Sequence, residues 1–213
     1  MNKISKLLSV VIFITFFASI LTSDEYKRYS LKSAIIEYKL SGMETGKETL
    51  YFDNFGMKEA RVKESTIEYE GKKIKRKITI ILDGKTAYTV DYDSKSVAKI
   101  TNDYKDLTKG FNTKNLGEIG KKMMTDMGGK LTGSENILGR KCEIWNLDQY
   151  KTKSWIWNYI TLKMATELPN MKTYSEAVKI QENAKIPESV FQYPKDFKVY
   201  DMNKQQKPTK GKK

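Results

Sequence analysis

The sequence predicts a mainly β protein, with an antiparallel sheet and a minor α-helical component. From residue 33 to residue 100, short runs in which apolar residues alternate with polar ones are separated by polar turns, a pattern typical of consecutive antiparallel strands. After residue 114 the apolar spacing changes to the period of a helix, and then strand-like runs return. We therefore expect about nine strands and one or two helices in a single domain over residues 24–203.

The first half of the chain predicts five or six consecutive strands. Their segments are residues 33–42, 47–56, 59–71, 73–85 and 86–100. Asp83-Gly84 is a hairpin signal, because glycine readily adopts the positive φ of tight turns. The basic run GKKIKRK at 71–77 leads directly into ITIIL and predicts the solvent face of a strand, with a dedicated anion site as the alternative.

Residues 115–129, NLGEIGKKMMTDMGG, predict one amphipathic helix. Asn115 and Glu118 form a candidate N-cap pair, and Gly128 and Gly129 end the helix. The apolar stripe comprises Leu116, Ile119, Met123, Met124 and Met127. It is either ordinary core or an adaptable lid over a lipid-like ligand, since methionine side chains refit to irregular partners. The charged side, expected to face solvent, comprises Lys121, Lys122 and Asp126.

Strand patterns resume after the helix, at residues 136–147, 153–166 and 175–187, and residues 188–201 predict a turn or short strand. The segment 153–166 is apolar on both faces. One face carries Trp155, Trp157 and Tyr159, and the other carries Ile156, Ile160, Leu162 and Met164. A strand that is apolar on both faces must be covered on both. We therefore expect a central strand with the helix or a ligand against one side.

Cys142 is the only cysteine in the chain. Strand alternation groups it with Leu138 and Ile144, and places Lys141 and Glu143 on the opposite face. This pattern favours a buried thiol that fills core volume. An intermolecular disulfide or a redox role is the alternative. A catalytic thiol is disfavoured, because no histidine is available to activate it.

The composition removes several classes of chemistry. The chain has no histidine, which excludes Ser-His-Asp and Cys-His catalysis. One cysteine without any imidazole cannot complete a tetrahedral zinc site, and no Gly-rich phosphate loop is present. Asp91 and Asp93 give only a weak calcium signal, because a calcium loop needs more oxygen ligands. We expect no cofactor, no metal and no enzymatic activity, with a hydrolase of unrecognised type as the alternative.

The first 23 residues have the order of a secretory signal peptide. Lys3 and Lys6 precede an uncharged apolar run at residues 7–21, and polar sequence begins at Asp24. The run is shorter than the roughly 20 residues that a spanning helix needs. We expect cleavage near residue 23 and a periplasmic protein. An N-terminally anchored protein and a protein secreted from the cell are the alternatives.

The charge is strongly basic, at +13, and part of it lies at the C-terminus. Residues 204–213, KQQKPTKGKK, carry five lysines and no acid. With no apolar residue to bury, this tail is expected to be disordered. Anionic lipid headgroups are its most accessible partner in an exported protein, and a solvated tail without a partner is the alternative. We expect no nucleic-acid partner and a monomer.

Three stretches resemble the periplasmic lipoprotein-carrier (Lol-type) superfamily, and more closely an uncharacterised secreted branch of it. GKETLYFDNFG resembles an early hairpin strand of that branch. ILGRKCEIW followed by KSWIWNYITLKM resembles its paired late strands, and IPESVFQYPKDFKV resembles its terminal segment. Together these stretches span most of residues 33–200. No arginine of this chain can be matched to the carriers' functional arginine.

The resemblance implies an antiparallel half-barrel with one or two helices across its concave face. It also implies an apolar concave site for a lipid, an acyl chain or a lipoprotein. The expected ligand contacts are Met123, Met124, Met127, Trp155 and Trp157. The alternative is an envelope interaction or structural protein with a filled core and no ligand cavity.

Overall fold

The computed structural model describes residues 26–69, 71–169 and 171–205. The predicted signal peptide lies outside these residues, as does most of the predicted basic tail. Within the described residues, twelve strands form one curved, unclosed sheet with three helices. The predicted fold class, mainly β with minor α, is confirmed.

The first six strands form an antiparallel meander. They are β1 (Ala34–Gly42), β2 (Glu44–Asp53), β3 (Lys58–Tyr69), β4 (Lys72–Asp83), β5 (Thr86–Asp91) and β6 (Ser96–Thr101). Gly84, at φ 55°, lies in the tight turn between β4 and β5, so the Asp83-Gly84 hairpin signal is confirmed. The basic run at 72–77 lies on β4 with its predicted solvent face exposed, and the opposite face of the run, which includes Ile74, is exposed as well.

Two helices connect this meander to the second half of the sheet: α1 (Tyr104–Leu107) and α2 (Leu116–Asp126). The side-chain oxygen of Asn115 accepts hydrogen bonds from the backbone N–H groups of Gly117 and Glu118, at 3.0 and 3.2 Å. Glu118 in turn accepts a hydrogen bond from the Asn115 side chain at 3.1 Å. Gly128 follows the helix with φ 83°. Both predicted ends of α2 are therefore confirmed.

Five strands of a second antiparallel meander follow: β7 (Lys130–Ile137), β8 (Arg140–Leu147), β9 (Thr152–Trp157), β10 (Ile160–Leu168) and β11 (Met171–Glu182). A short strand β12 (Lys198–Asp201) pairs with β6 in parallel, and α3 (Met202–Gln205) ends the described chain. The strand order is β12-β6-β5-β4-β3-β2-β1-β11-β10-β9-β8-β7. Pairing between β1 and β11 therefore joins the two meanders into one sheet.

Three predicted strand segments each contain two strands. Residues 86–100 contain β5 and β6, with Lys95 at φ 50° in the turn between them. Residues 136–147 contain the end of β7 and all of β8, so Leu138 lies in a turn at φ 50° and not beside Cys142 on a strand face. Residues 153–166 are a hairpin of β9 and β10, so the prediction of one central strand there is wrong. Both strands are nevertheless interior to the sheet.

Two apolar clusters form the core. The larger one includes Phe52, Cys142, Trp155 and Leu162, and therefore draws on both meanders. The smaller one includes Ala60, Ile81, Val90 and Val97, with Phe191 packed against them. Phe191 belongs to a single 3-10 turn, Glu188–Phe191, in the segment that leads to β12. This C-terminal segment thus covers strands of the first meander.

Candidate functional site

A cleft of about 850 Å³ lies between α2 and the sheet. Its lining residues come from α2, from the segment before β1, and from both meanders. The helix contributes Leu116, Gly117, Gly120, Lys121 and Met124. The strands contribute Arg61, Leu82, Ala87, Lys141, Glu143, Ile156, Trp157 and Thr161. Connecting segments add Arg28, Tyr29, Ser30, Asn102, Asn158 and Tyr159, and α1 adds Tyr104. Strands β3–β5 and β8–β10 lie on opposite sides of β1 in the strand order, so the sheet curves around this cleft.

The chain before β1 fixes the start of α2 against the sheet. The backbone N–H of Leu116 donates to the Lys27 carbonyl at 2.6 Å, and the N–H of Lys27 donates to the Lys114 carbonyl at 3.2 Å. The next residue, Arg28, donates its backbone N–H to the Phe55 carbonyl at 2.8 Å. Residues 27 and 28 therefore connect the helix start to the turn after β2, and these bonds fix the backbone of Arg28, which lines the cleft.

Two glycines of α2 meet different surroundings. A Cβ atom at Gly117 would lie 2.6 Å from the Arg28 carbonyl oxygen and would overlap the Tyr159 ring. A Cβ at Gly120 would have no heavy atom within 4 Å. Gly117 thus allows close packing of the helix start, whereas Gly120 faces the open space of the cleft.

Arg61 on β3 lines the cleft and is paired with two neighbouring carboxylates. Its Nε donates to Glu59 at 2.8 Å, and its Nη1 donates to Glu48 at 2.9 Å. The Tyr29 hydroxyl donates to the second oxygen of Glu59 at 2.7 Å. Burial lowers the pKa of Arg61, but Glu59, Tyr29 and Glu48 outweigh it and raise that pKa well above its ordinary value. The pKa of Tyr29 is also raised, first by burial and then by Glu59.

A second ion pair connects α2 to β8 across the cleft. Lys121 donates to Glu143 at 2.9 Å, and its ammonium group lies 5.4 Å from the centre of the Trp145 ring. The Trp145 indole N–H donates to Glu143 at 2.9 Å. The hydrogen bond from Lys121 lowers the pKa of Glu143, with a smaller contribution from Trp145. Lys121 therefore faces the sheet, and the expectation that it would face solvent is wrong.

The five residues predicted as ligand contacts occupy different places. Met124 and Trp157 both line the cleft. Met123 and Met127 are each 43% exposed and lie outside its lining. Trp155 is buried in the core, and its indole N–H donates to Glu135 at 2.7 Å. The structure thus brings two of the five to one site.

Sequence reasoning missed the charged residues of the cleft. Arg28, Arg61, Lys121 and Lys141 line it together with one carboxylate, Glu143. Lys141 and Glu143 gave a usable signal, because their alternation with Cys142 places them on the face opposite the core. Arg28 and Arg61 gave none, since long-range pairing brings them to the cleft.

Two other candidate residues have structural surroundings. Cys142 is fully buried in the larger core cluster, and burial raises the pKa of its thiol. Asp91 accepts hydrogen bonds from the backbone N–H groups of Asp93 and Ser94, at 2.9 and 3.1 Å, and so holds the turn between β5 and β6. Across residues 26–69, 71–169 and 171–205, no three acidic, cysteine or histidine side chains are grouped to hold a metal ion.

No helix in the described part of the chain is both long and apolar enough to cross a membrane. No protein-family model and no curated protein matches the sequence. Among solved structures, an uncharacterized conserved protein from Thermus thermophilus is similar at 9% identity, covering 81% of this chain and 91% of that one with a TM-score of 0.50. At this identity the likeness concerns the fold alone.

Two further solved structures are more distant. LprF from Mycobacterium bovis has 9% identity over 74% of this chain and 89% of its own, with a TM-score of 0.34. MucB has 13% identity over 79% of this chain and 59% of its own, with a TM-score of 0.37. The fold itself agrees with the architecture that the sequence resemblance implied, since the sheet is curved and unclosed and α2 lies across it.

Proposed function

We propose that this chain is an exported, non-enzymatic binding protein whose cleft under α2 holds an acyl chain of a lipid or lipoprotein. The observation that carries the proposal is an open cleft of about 850 Å³ in the place where a filled core would otherwise join helix and sheet. Small-molecule sites occupy about 300–1,000 Å³ and are lined mainly by apolar and aromatic groups. The cleft therefore has the size of a ligand site.

The apolar lining runs along one side of α2. Leu116, Gly120 and Met124 are spaced by four residues, and Ile156 and Trp157 of β9 also line the cleft. With a rise of 1.5 Å per residue, the distance along the helix axis from Leu116 to Met124 is about 12 Å. An acyl chain lying along it would remove apolar surface from water at roughly 25 cal/mol per Å². Export is supported by the signal-like N-terminus, and the lack of histidine supports a non-enzymatic role.

Replacing Gly120 with Leu tests the proposal, because the new side chain enters open space in the cleft without a clash at Cβ. We expect a saturable signal when the wild-type protein is titrated with a fluorescent fatty acid. We expect Gly120→Leu to weaken that binding at least about tenfold, which corresponds to 1.4 kcal/mol. Its melting temperature should not fall, because leucine forms helices better than glycine.

Gly120→Ala is the matched control. It adds the helix preference but little volume, so it should bind the fatty acid nearly as well as the wild type. Equal binding by Gly120→Leu and wild type would place the ligand elsewhere. No saturable binding by the wild type would favour an envelope interaction protein that holds a partner through its surface.

A further inference from the structure

We infer that the ligand of the cleft is an amphipathic anion whose carboxylate or phosphate group binds the guanidinium of Arg28. This inference rests on the proposed function and adds the chemical class of the headgroup. It would make the protein selective for fatty acids or anionic phospholipids over neutral lipids of the same chain length.

Arg28 has a fixed backbone and an uncommitted side chain. Its N–H is bonded to Phe55, and its carbonyl oxygen lies against Gly117 at the start of α2. The residue is half-buried and lines the cleft. Among the residues that the structure describes, no carboxylate lies within ion-pair distance of its guanidinium, and no acceptor is bonded to it. Five N–H donors therefore remain for a ligand.

The carboxylates in and beside the cleft are already engaged. Glu59 accepts from Arg61 with one oxygen and from Tyr29 with the other. Glu48 accepts from Arg61, and Glu143 accepts from Lys121. Arg61 and Lys121 are thus neutralised in place, whereas Arg28 is not. A planar guanidinium without a partner suits a carboxylate or phosphate, which it can bind with two parallel hydrogen bonds.

The start of α2, beside Arg28, adds an electrostatic potential that favours a bound anion. A helix N-terminus carries a partial positive charge. Here its first N–H groups are occupied by Lys27 and Asn115, and Glu118 in the first turn offsets part of the charge. The direct contacts to an anion would therefore come from Arg28. The acyl chain would extend from there along the side of α2 that carries Gly120 and Met124.

The test compares palmitate with hexadecanol as competitors of a bound fluorescent fatty-acid methyl ester, whose neutral head leaves the Arg28 contact unused. We expect palmitate to compete at least about tenfold better than hexadecanol with the wild-type protein. In the Arg28→Gln variant, competition by palmitate should weaken at least tenfold, while competition by hexadecanol should stay unchanged. Lys141→Gln is the matched control, since Lys141 is the other cation of the cleft without an ion pair in the described residues. This variant should keep the preference for palmitate.

The outcomes separate this inference from the proposed function. Equal competition by palmitate and hexadecanol, or a preserved preference in Arg28→Gln at an unchanged melting temperature, would overturn the Arg28 site while acyl-chain binding stands. Absence of ester binding would overturn the proposed function itself. Inorganic phosphate at millimolar concentration should not displace the ester or reduce competition by palmitate. If phosphate reduced the competition by palmitate in the wild type but not in Arg28→Gln, Arg28 would be a site for a free anion. That result would overturn the inference that it binds a lipid headgroup.

Discussion

Glu59→Ala is expected to destabilise the protein by about 1–3 kcal/mol, the usual cost of leaving a buried hydrogen-bonding group without its partner. Glu59 is 5% exposed, and its two oxygens hold Arg61 and Tyr29. Without it, the Tyr29 hydroxyl loses its acceptor, and Arg61 keeps Glu48 as its ion-pair partner. Chemical denaturation followed by tryptophan fluorescence measures the loss as a change in the free energy of unfolding.

Glu64→Ala on the same strand is the control. Glu64 bridges Lys47 and Lys77 at the surface, and exposed ion pairs contribute under about 1 kcal/mol. The two variants remove the same chemical group from β3 and differ in burial. If Glu59→Ala were as mild as Glu64→Ala, the Tyr29–Glu59–Arg61 group would not stabilise the fold.

Gly117→Ala is expected to destabilise the protein by about 1–3 kcal/mol, the range of overpacked sites. The added methyl group would overlap the Tyr159 ring and approach the backbone oxygen of Arg28, so the start of α2 must move away from the sheet. Alanine also favours the helix by about 1 kcal/mol, which offsets part of the cost. Thermal unfolding of the variant measures the net effect.

Gly120→Ala, one turn along the same helix, is the control for helix preference. It should be neutral or stabilising by up to about 1 kcal/mol, because its Cβ meets no atom. A Gly117→Ala variant as stable as Gly120→Ala would show that α2 does not pack closely on Tyr159 and Arg28.

The features that were predicted correctly depend on residues that are close together in the sequence. Asn115 and Glu118 predicted the start of α2, and Gly128 predicted its end. The alternation of residues around Cys142 predicted that the Cys142 side chain is buried. These residues act through neighbours in sequence, so their effect can be predicted without the fold.

The missed turns lack such signals. Asn158 and Tyr159 form the two-residue turn of the β9–β10 hairpin, with φ of 50° and 65°. A type I′ turn normally has glycine at the second position. Because tyrosine occupies that position here, the sequence carries no turn signal between β9 and β10. Strand β7 was missed for another reason: seven of its eight residues are exposed, so it has no apolar alternation.

The candidate site could be predicted only in part. Met124 and Trp157 were expected at the ligand and do line the cleft. Arg28 and Arg61 reach it through contacts with Phe55, Glu59 and Glu48, which are set by strand register and chain path. No spacing in the sequence encodes those contacts. The side of α2 that faces the sheet was also assigned from methionine spacing, whereas Lys121 and its partner on β8 fix it.

Native mass spectrometry of the protein purified from cells, under gentle conditions, tests the central claim most directly. The open cleft under α2 predicts a population heavier than the bare chain by the mass of one lipid. That mass should be lost on collisional activation and absent from Gly120→Leu purified in parallel. A bare-chain mass alone for the wild type, unchanged after incubation with palmitate, would contradict acyl-chain binding in the cleft.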